Sequence, residues 1–316
     1  MTKVAYDNST LHDFKVCMRM GYFKHVRKWT PAGKSPALIF GSAWHSAMDA
    51  VWAGLTAGAG GSYHQEDIEN AGQEAFRETW EKEGGPVHIP VTHMKMWQPR
   101  LPQVAFQMIE SYVAKRASSL KHLTIVESEV PFAVPILPGV WYTGKRDKLV
   151  RDRTGKHTVV DHKTTTWGSK SGFRDVWKNT WSPKSQIDGY LFSAGLAYPK
   201  LNVSAWIDGA LVSMNDRLFE FIAVARSADN LDAWLWETRY WIGTIEQHKA
   251  ALPQRGDFMA AFPKNDASCV QYNRVCPFLD ICKGCANPEK LVNPPAGMVE
   301  STWSPMTPQE LEELTK

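Results

Sequence analysis

The stretch VVDHKTTT, Val159 to Thr166, sets an acid and a lysine two residues apart at the end of an apolar run. On a strand, residues i and i+2 share a face, so Asp161 and Lys163 stand side by side there. Fourteen residues upstream (161 − 147) lies Asp147, in GKRDKLV. The stretch between reads as two strands joined by a turn at Asp152 to Lys156, with the Asp and Gly that hairpin turns favour. That hairpin would bring Asp147 beside Asp161. Two neighbouring carboxylates repel unless a cation lies between them, and a hard divalent ion with oxygen ligands, Mg²⁺ or Mn²⁺, resolves the conflict. Such a site polarises a phosphoryl oxygen and activates water, while Lys163 steadies the charge that develops. Asp13-Phe14-Lys15 repeats the acid-x-Lys spacing in a helical stretch, with no upstream acid on a paired strand. It shows how the pattern looks without chemistry.

Other residues could join this site. Gly41 and His45 in GSAWH are four apart, on one helical face, and histidine is a capable metal ligand. Gln186 and Tyr190 in QIDGY repeat that spacing and could hold a DNA strand beside the metal. Glu127, on a strand before the hairpin, is a further acid. Five cysteines occur, Cys17, Cys269, Cys276, Cys282 and Cys285. Clustered cysteines in a reducing compartment suggest zinc or an iron–sulfur centre, with the metal left open.

These residues need elements to carry them. A helix capped at Ser9 or Thr10 runs through LHDFKVCMRMGYFKHV, and a second covers Leu38 to Leu55. The glycine-rich AGAGGS at 57–62 connects to helices at Glu66–Lys82 and Met96–Lys121. Leu123 to Val134 alternates as a strand and leads into the hairpin. Ser182-Pro183 opens a helix through Tyr198, two strands follow, and a long helix spans Ala228 to Ala250. Past Asn287 the chain is expected to be loosely held until PQELEELTK. Most of the fourteen tryptophans sit in amphipathic settings and belong to the core.

This order implies an α/β core with a mixed sheet and an N-terminal helical layer. Four consecutive parts are expected: 1–122 helical with Cys17 and His45, 123–250 the core, 251–286 the cysteine segment, and 287–316 a tail. The composition, 43% hydrophobic and 22% charged, suits a soluble globular protein. The N-terminus carries no apolar leader, so a cytoplasmic location is expected. Charge is unevenly spread: residues 1–35 carry seven Lys/Arg against two acids (+5), and residues 145–184 eleven against four (+7). Two basic zones, including Arg19, Lys145 and Arg146, suit a polyanion such as DNA.

The series GSAWH, GKRD, VVDHKTT and QIDGY resembles the PD-(D/E)XK nucleases, specifically their RecB-like exonuclease branch. The resemblance runs from about Ser9 to Cys285 and implies a restriction-endonuclease-like core: a mixed central sheet flanked by helices, with a C-terminal cysteine cluster. It implies that His45, Asp147 and Asp161 are metal ligands, joined by the backbone carbonyl of His162. Lys163 would be the catalytic lysine, acting with Asp147 and Asp161, while Gln186 and Tyr190 engage the DNA. STLHDFKVCMRMGYF is similar to the start of the iron–sulfur members, among them CRISPR-associated adaptation nucleases and AddB-type helicase–nucleases. From that likeness come Cys17, Cys269, Cys276 and Cys282 around a 4Fe–4S cluster, with Cys285 spare or standing in place of Cys269. The Cys276-x₅-Cys282 spacing matches the family, whereas Cys269-x₆-Cys276 departs from it. The activity implied is a DNA exonuclease. A structure-specific endonuclease or nickase, and a non-catalytic DNA-binding partner of a helicase or recombinase, are the rival readings. A partner in recombination or CRISPR adaptation would follow from the same likeness.

Overall fold

The computed structural model describes residues 4–57, 64–199, 203–252, 256–271, 274–301, 304 and 306–315. Beyond Ala57, the glycine-rich connection lies outside them.

A strand absent from the sequence reading comes first, β1 (Val4–Asp7). Asp7, not Ser9 or Thr10, caps α1 (Asn8–Val16): its carboxylate accepts from the backbone N–H groups of Ser9 at 2.9 Å and Thr10 at 3.1 Å. The continuous helix expected to Val26 is interrupted at Cys17, whose φ of −161° and ψ of 118° are extended. After this break come α2 (Met18–Gly21), a π-helical turn over Tyr22–Val26, and β2 (Trp29–Pro31). Then follow α3 (Pro36–Ala57), α4 (Gln65–Lys82), α5 (Val91–Trp97) and α6 (Pro102–Leu120). The helix expected at 96–121 is thus two, parted at Pro99, which lacks the N–H a helix interior needs.

The strands β3 (Thr124–Leu137), β4 (Val140–Arg151) and β5 (His157–Thr165) match the expected run. After α7 (Asp175–Asn179), α8 (Ser185–Ala197) starts later than Ser182-Pro183, with Lys184 at its cap position. Ser182 instead accepts from Arg226 Nη1 at 2.9 Å. The remaining elements are β6 (Val203–Leu211), β7 (Phe219–Val224), α9 (Ala228–Ala250), α10 (Leu279–Gly284), β8 (Met298–Glu300) and α11 (Pro308–Leu314).

Two compact units interleave along the chain, one of residues 1–32, 131–145 and 228–316, the other of 33–130 and 146–227. The long strands β3 and β4 each contribute to both units. In the second unit β4 pairs antiparallel with β5 (Lys148↔Val160), β5 parallel with β6 (Asp161↔Ile207), and β6 antiparallel with β7 (Asp208↔Phe221). A parallel pair needs a crossover and cover on its faces. The crossover is α7 and α8; α8 packs on β5 and β6. The core joins Phe40, Trp44 and Trp52 of α3, Phe76 of α4, and Ile109 and Tyr112 of α6 to Val150, Val160 and Ala210 of the sheet. This is an α/β architecture with a mixed sheet flanked by helices.

In the first unit β1 runs parallel to the start of β4 (Tyr6↔Tyr142). The tail expected to be loose is tied down. β8 pairs antiparallel with β2 (Val299↔Thr30), and Arg27 donates to the carbonyls of Leu291, Val292 and Glu289. Main-chain pairing supplies what a proline-rich composition hid. No helix of the described residues is long and apolar enough to cross a membrane.

Candidate active site

The hairpin turn sets the site. Asp152 accepts from the backbone N–H groups of Thr154 at 2.8 Å and Lys156 at 3.0 Å, and Gly155 supplies the φ of +86° that closes the turn. Carrying the register Lys148↔Val160 one step further sets Asp147 opposite Asp161. The backbone N–H of His162 donates to Asp147 Oδ2 at 3.0 Å, and His45 Nδ1 of α3 meets the same oxygen at 3.1 Å. Lys163 Nζ donates to Asp161 Oδ1 at 2.8 Å and lies 2.7 Å from Oδ2. The side chains of His45 and Lys163 are 29% and 22% exposed while that of Asp161 is only 1%. A substrate can therefore reach the first two, and Asp161 forms the floor. One turn before His45, a Cβ on Gly41 would meet nothing within 4 Å, leaving open space beside the imidazole.

A residue that the sequence reading missed completes the cluster. Donor atoms of His45, Glu129 and Asp147 all lie within 4.8 Å of one another. Glu129 has a left-handed φ of 54° within β3, a costly backbone for a glutamate. Glu127, two residues earlier and the acid singled out from sequence, is spent elsewhere. It takes Arg146 Nε at 2.9 Å and Nη2 at 2.7 Å on one oxygen and Tyr198 Oη at 2.8 Å on the other. The signal in the sequence was ESE itself, two acids of which one could be diverted.

The electrostatics suit a cation. Burial would raise the Asp147 carboxyl, but His45 and then Lys163 hold it well below the usual carboxylate range. Burial pushes Asp161 up to about 6, with the Asp147 charge adding to it and Lys163 opposing it. Burial works against a charge on Lys163, yet Asp161 and Asp147 raise its pKa. His45 is likewise raised by Asp147 against its burial. The carboxylates of Asp147 and Glu129 share this cluster with the His45 imidazole. With an imidazole and carboxylate oxygens as donors, they fit a hard divalent ion.

The remaining expected residues fall in different places. The His162 imidazole is fully buried with Nδ1 3.0 Å from Asp208 Oδ2, an oxygen that also accepts from Tyr112 Oη. Trp52 Nε1 donates to Tyr112 Oη at 2.8 Å, which continues this buried network into α3. Gln186 Nε2 donates to Tyr190 Oη at 2.9 Å, with Tyr190 only 7% exposed. Arg146, expected on DNA, is buried between Glu127 and Ser193. Lys145 is exposed.

In the first unit the cysteines converge. The pKa of Cys276 feels Cys17 and Cys269, and that of Cys282 feels Cys17 and Cys276; burial is the main cause raising both. Cys276 N–H donates to the Cys269 carbonyl at 2.8 Å, and Asn265 N–H to Cys17 Sγ at 3.3 Å. The extended backbone at Cys17 breaks the helix at this point. All five thiols are free. Arg19, expected on the DNA backbone, is 4% exposed. Its Nε donates to the Phe262 carbonyl at 2.7 Å, and it feels Cys282, Cys17 and Cys285. A buried guanidinium beside thiols favours their charged form. Thiols that influence one another, an N–H···S bond and this cation are the chemistry an iron–sulfur centre uses, although among the described residues no three of the sulfurs lie within 4.8 Å of one another.

The family model of the PD-(D/E)XK nuclease superfamily matches residues 8–283. Among solved structures the chain is similar to a candidate exonuclease from Eubacterium rectale, at 16% identity and TM-score 0.47, over 88% of this chain and 92% of that one. It is also similar to the protein SSO0001, at 12% identity and TM-score 0.27, over 62% and 85%. Both likenesses are remote. No curated protein matches the chain.

Proposed function

The chain belongs to the PD-(D/E)XK nuclease superfamily, and from that premise we propose that it is a metal-dependent deoxyribonuclease, an exonuclease on linear or single-stranded DNA ends. The observation that carries this reading is the pairing of Lys163 with Asp161 on one hairpin, and of that hairpin's Asp147 with His45 of α3. Asp147, Glu129 and His45 would hold Mg²⁺ or Mn²⁺, with Asp161 and the His162 carbonyl beside them. The ion, when bound, supplies Lewis acidity toward a phosphoryl oxygen. Lys163 steadies the charge gathering on the phosphoryl group as water adds to phosphorus and the ester oxygen leaves. Gln186 and Tyr190 hold the strand, and the exposed Lys145 adds sequence-independent attraction.

The four sulfurs of Cys17, Cys269, Cys276 and Cys282 would hold a 4Fe–4S cluster as a structural staple. A cytoplasmic setting, where thiols stay reduced, suits it. A recombination or CRISPR-adaptation partner belongs to the same proposal.

The test uses protein purified without oxygen and linear DNA labelled separately at each end, in Mg²⁺, Mn²⁺ or EDTA. Release of label in metal but not in EDTA, lost in Lys163→Ala, is the expected result. Nicking of a closed circle would turn the reading toward a structure-specific endonuclease. Binding without cleavage in any metal, from cluster-loaded protein, would overturn it in favour of a non-catalytic partner.

A further inference from the structure

One cation beside the site has no part in the reaction proposed so far. Lys184 occupies the cap position of α8 and is half-buried. Its Nζ lies 5.9 Å from the centre of the Trp181 ring, and Lys163 Nζ lies 5.9 Å from the same centre. One indole thus carries two lysines. Trp181 is itself 7% exposed, and its buried Nε1 finds no acceptor among the described residues.

The two lysines differ in what neutralises them. Lys163 is bonded to Asp161, whereas Lys184 has no carboxylate within 4.0 Å among the described residues. Burial, then the Lys163 charge, lowers the pKa of Lys184. Asp161 only partly offsets this, so a half-buried cation beside another cation favours a further anion. The placement is also braced. Arg226 Nε donates to Asp188 Oδ1 at 2.5 Å and Nη1 to Ser182 Oγ at 2.9 Å, fixing the chain on both sides of Lys184. Two side-chain ties outside the site hold Lys184 where it is.

We propose that Lys184 binds the phosphate adjacent to the scissile one, so that Lys163 and Lys184, sharing the Trp181 ring, grip consecutive phosphates of one strand. This rests on the nuclease reading above. It makes Lys184 a substrate-binding residue that sets where the strand is held, without a part in bond breaking.

The experiment compares wild type, Lys184→Ala, Lys184→Gln and Lys184→Arg on single-stranded oligonucleotides, with or without one neutral methylphosphonate next to the cut. The expected result is a KM about tenfold higher for the Ala and Gln variants, kcat within about twofold, and recovery in the Arg variant. In EDTA, the slope of log affinity against log salt falls by about 0.7. The methylphosphonate weakens cleavage by wild type and leaves Lys184→Ala unaffected. Unchanged KM and salt slope in a folded variant, or equal methylphosphonate penalties in wild type and Lys184→Ala, would overturn the inference. A wild type that cleaves nothing in any metal fails the nuclease reading instead, a separate outcome.

Discussion

Two clusters of ligating side chains, one in each unit, are built in opposite ways. The acid site of the second unit is local: Asp147, Asp161 and Lys163 come from one hairpin with a five-residue turn, and only His45 and Glu129 arrive from other elements. The thiol site of the first unit is assembled from residues as far apart as Cys17 and Cys282, a separation of 265 (282 − 17). A site on a hairpin is preorganised by strand pairing, so its members can repel one another and wait for a cation. A site closed across most of the chain gives its stabilisation to the fold, because tying distant segments removes freedom from the unfolded chain. On the proposed reading, the contrast is between a centre that works and one that holds.

The comparison can be broken at several points. The largest effect is expected from Cys282→Ser, which opens the long loop. By loop-closure reasoning it costs about 4–5 kcal/mol and removes the visible absorption of the cluster. Cys285→Ser should leave both unchanged, and thermal unfolding with iron analysis reads the two variants together. Lys163→Ala is next: cleavage falls by about 10²–10³-fold with cluster content intact.

The ESE pair comes third. Glu129→Gln should weaken Mn²⁺ binding by about 10–100-fold in calorimetry while stability holds or rises, since Mn²⁺ loses a ligand and the acids lose mutual repulsion. Glu127→Gln should keep Mn²⁺ affinity and lose about 3 kcal/mol, because Arg146 is left buried against a weaker partner. If both variants lose metal equally, the division of labour between the two glutamates is wrong.

The smallest effect is electrostatic. Burial would raise the Asp13 carboxyl, but hydrogen bonds from His25 and Lys24 win and lower its pKa. An acid with a lowered folded pKa contributes stability above its unfolded pKa of about 3.9, and loses it as pH falls through the folded value. Asp13→Asn should therefore cost about 1–2 kcal/mol at pH 7, and the gap from wild type should close at the acid end of a melting series.

What could be read from the sequence follows the same division. The hairpin, its turn and the Asp161–Lys163 pair were legible because strand period and turn chemistry are local. Glu129 was not, because strand alternation puts Glu127 and Glu129 on one face and only the left-handed φ of 54° gives them separate partners. The helix break at Cys17 was hidden for a different reason. The N–H that meets its sulfur belongs to Asn265, far along the chain. Charge counting misled at Arg19 and Arg146, whose guanidinium groups are buried on carbonyls and a glutamate. A tally of basic residues cannot distinguish a surface cation from one that braces a core. The resemblance named the acid–lysine series from short motifs, yet it did not name Glu129 or Lys184.

The interleaving of the units has a consequence in time. Cys17 leaves the ribosome well ahead of Cys269, which is made 252 residues later (269 − 17). At roughly 5–20 residues per second, the first thiol waits roughly 10–50 s for its companions. The second unit ends at residue 227 and is complete by then, so it can fold while the last segment of the first unit, 228–316, is still being made. On the proposed reading, synthesis makes the acid site before the thiol site, and during that interval Cys17 is open to oxidants and stray metals.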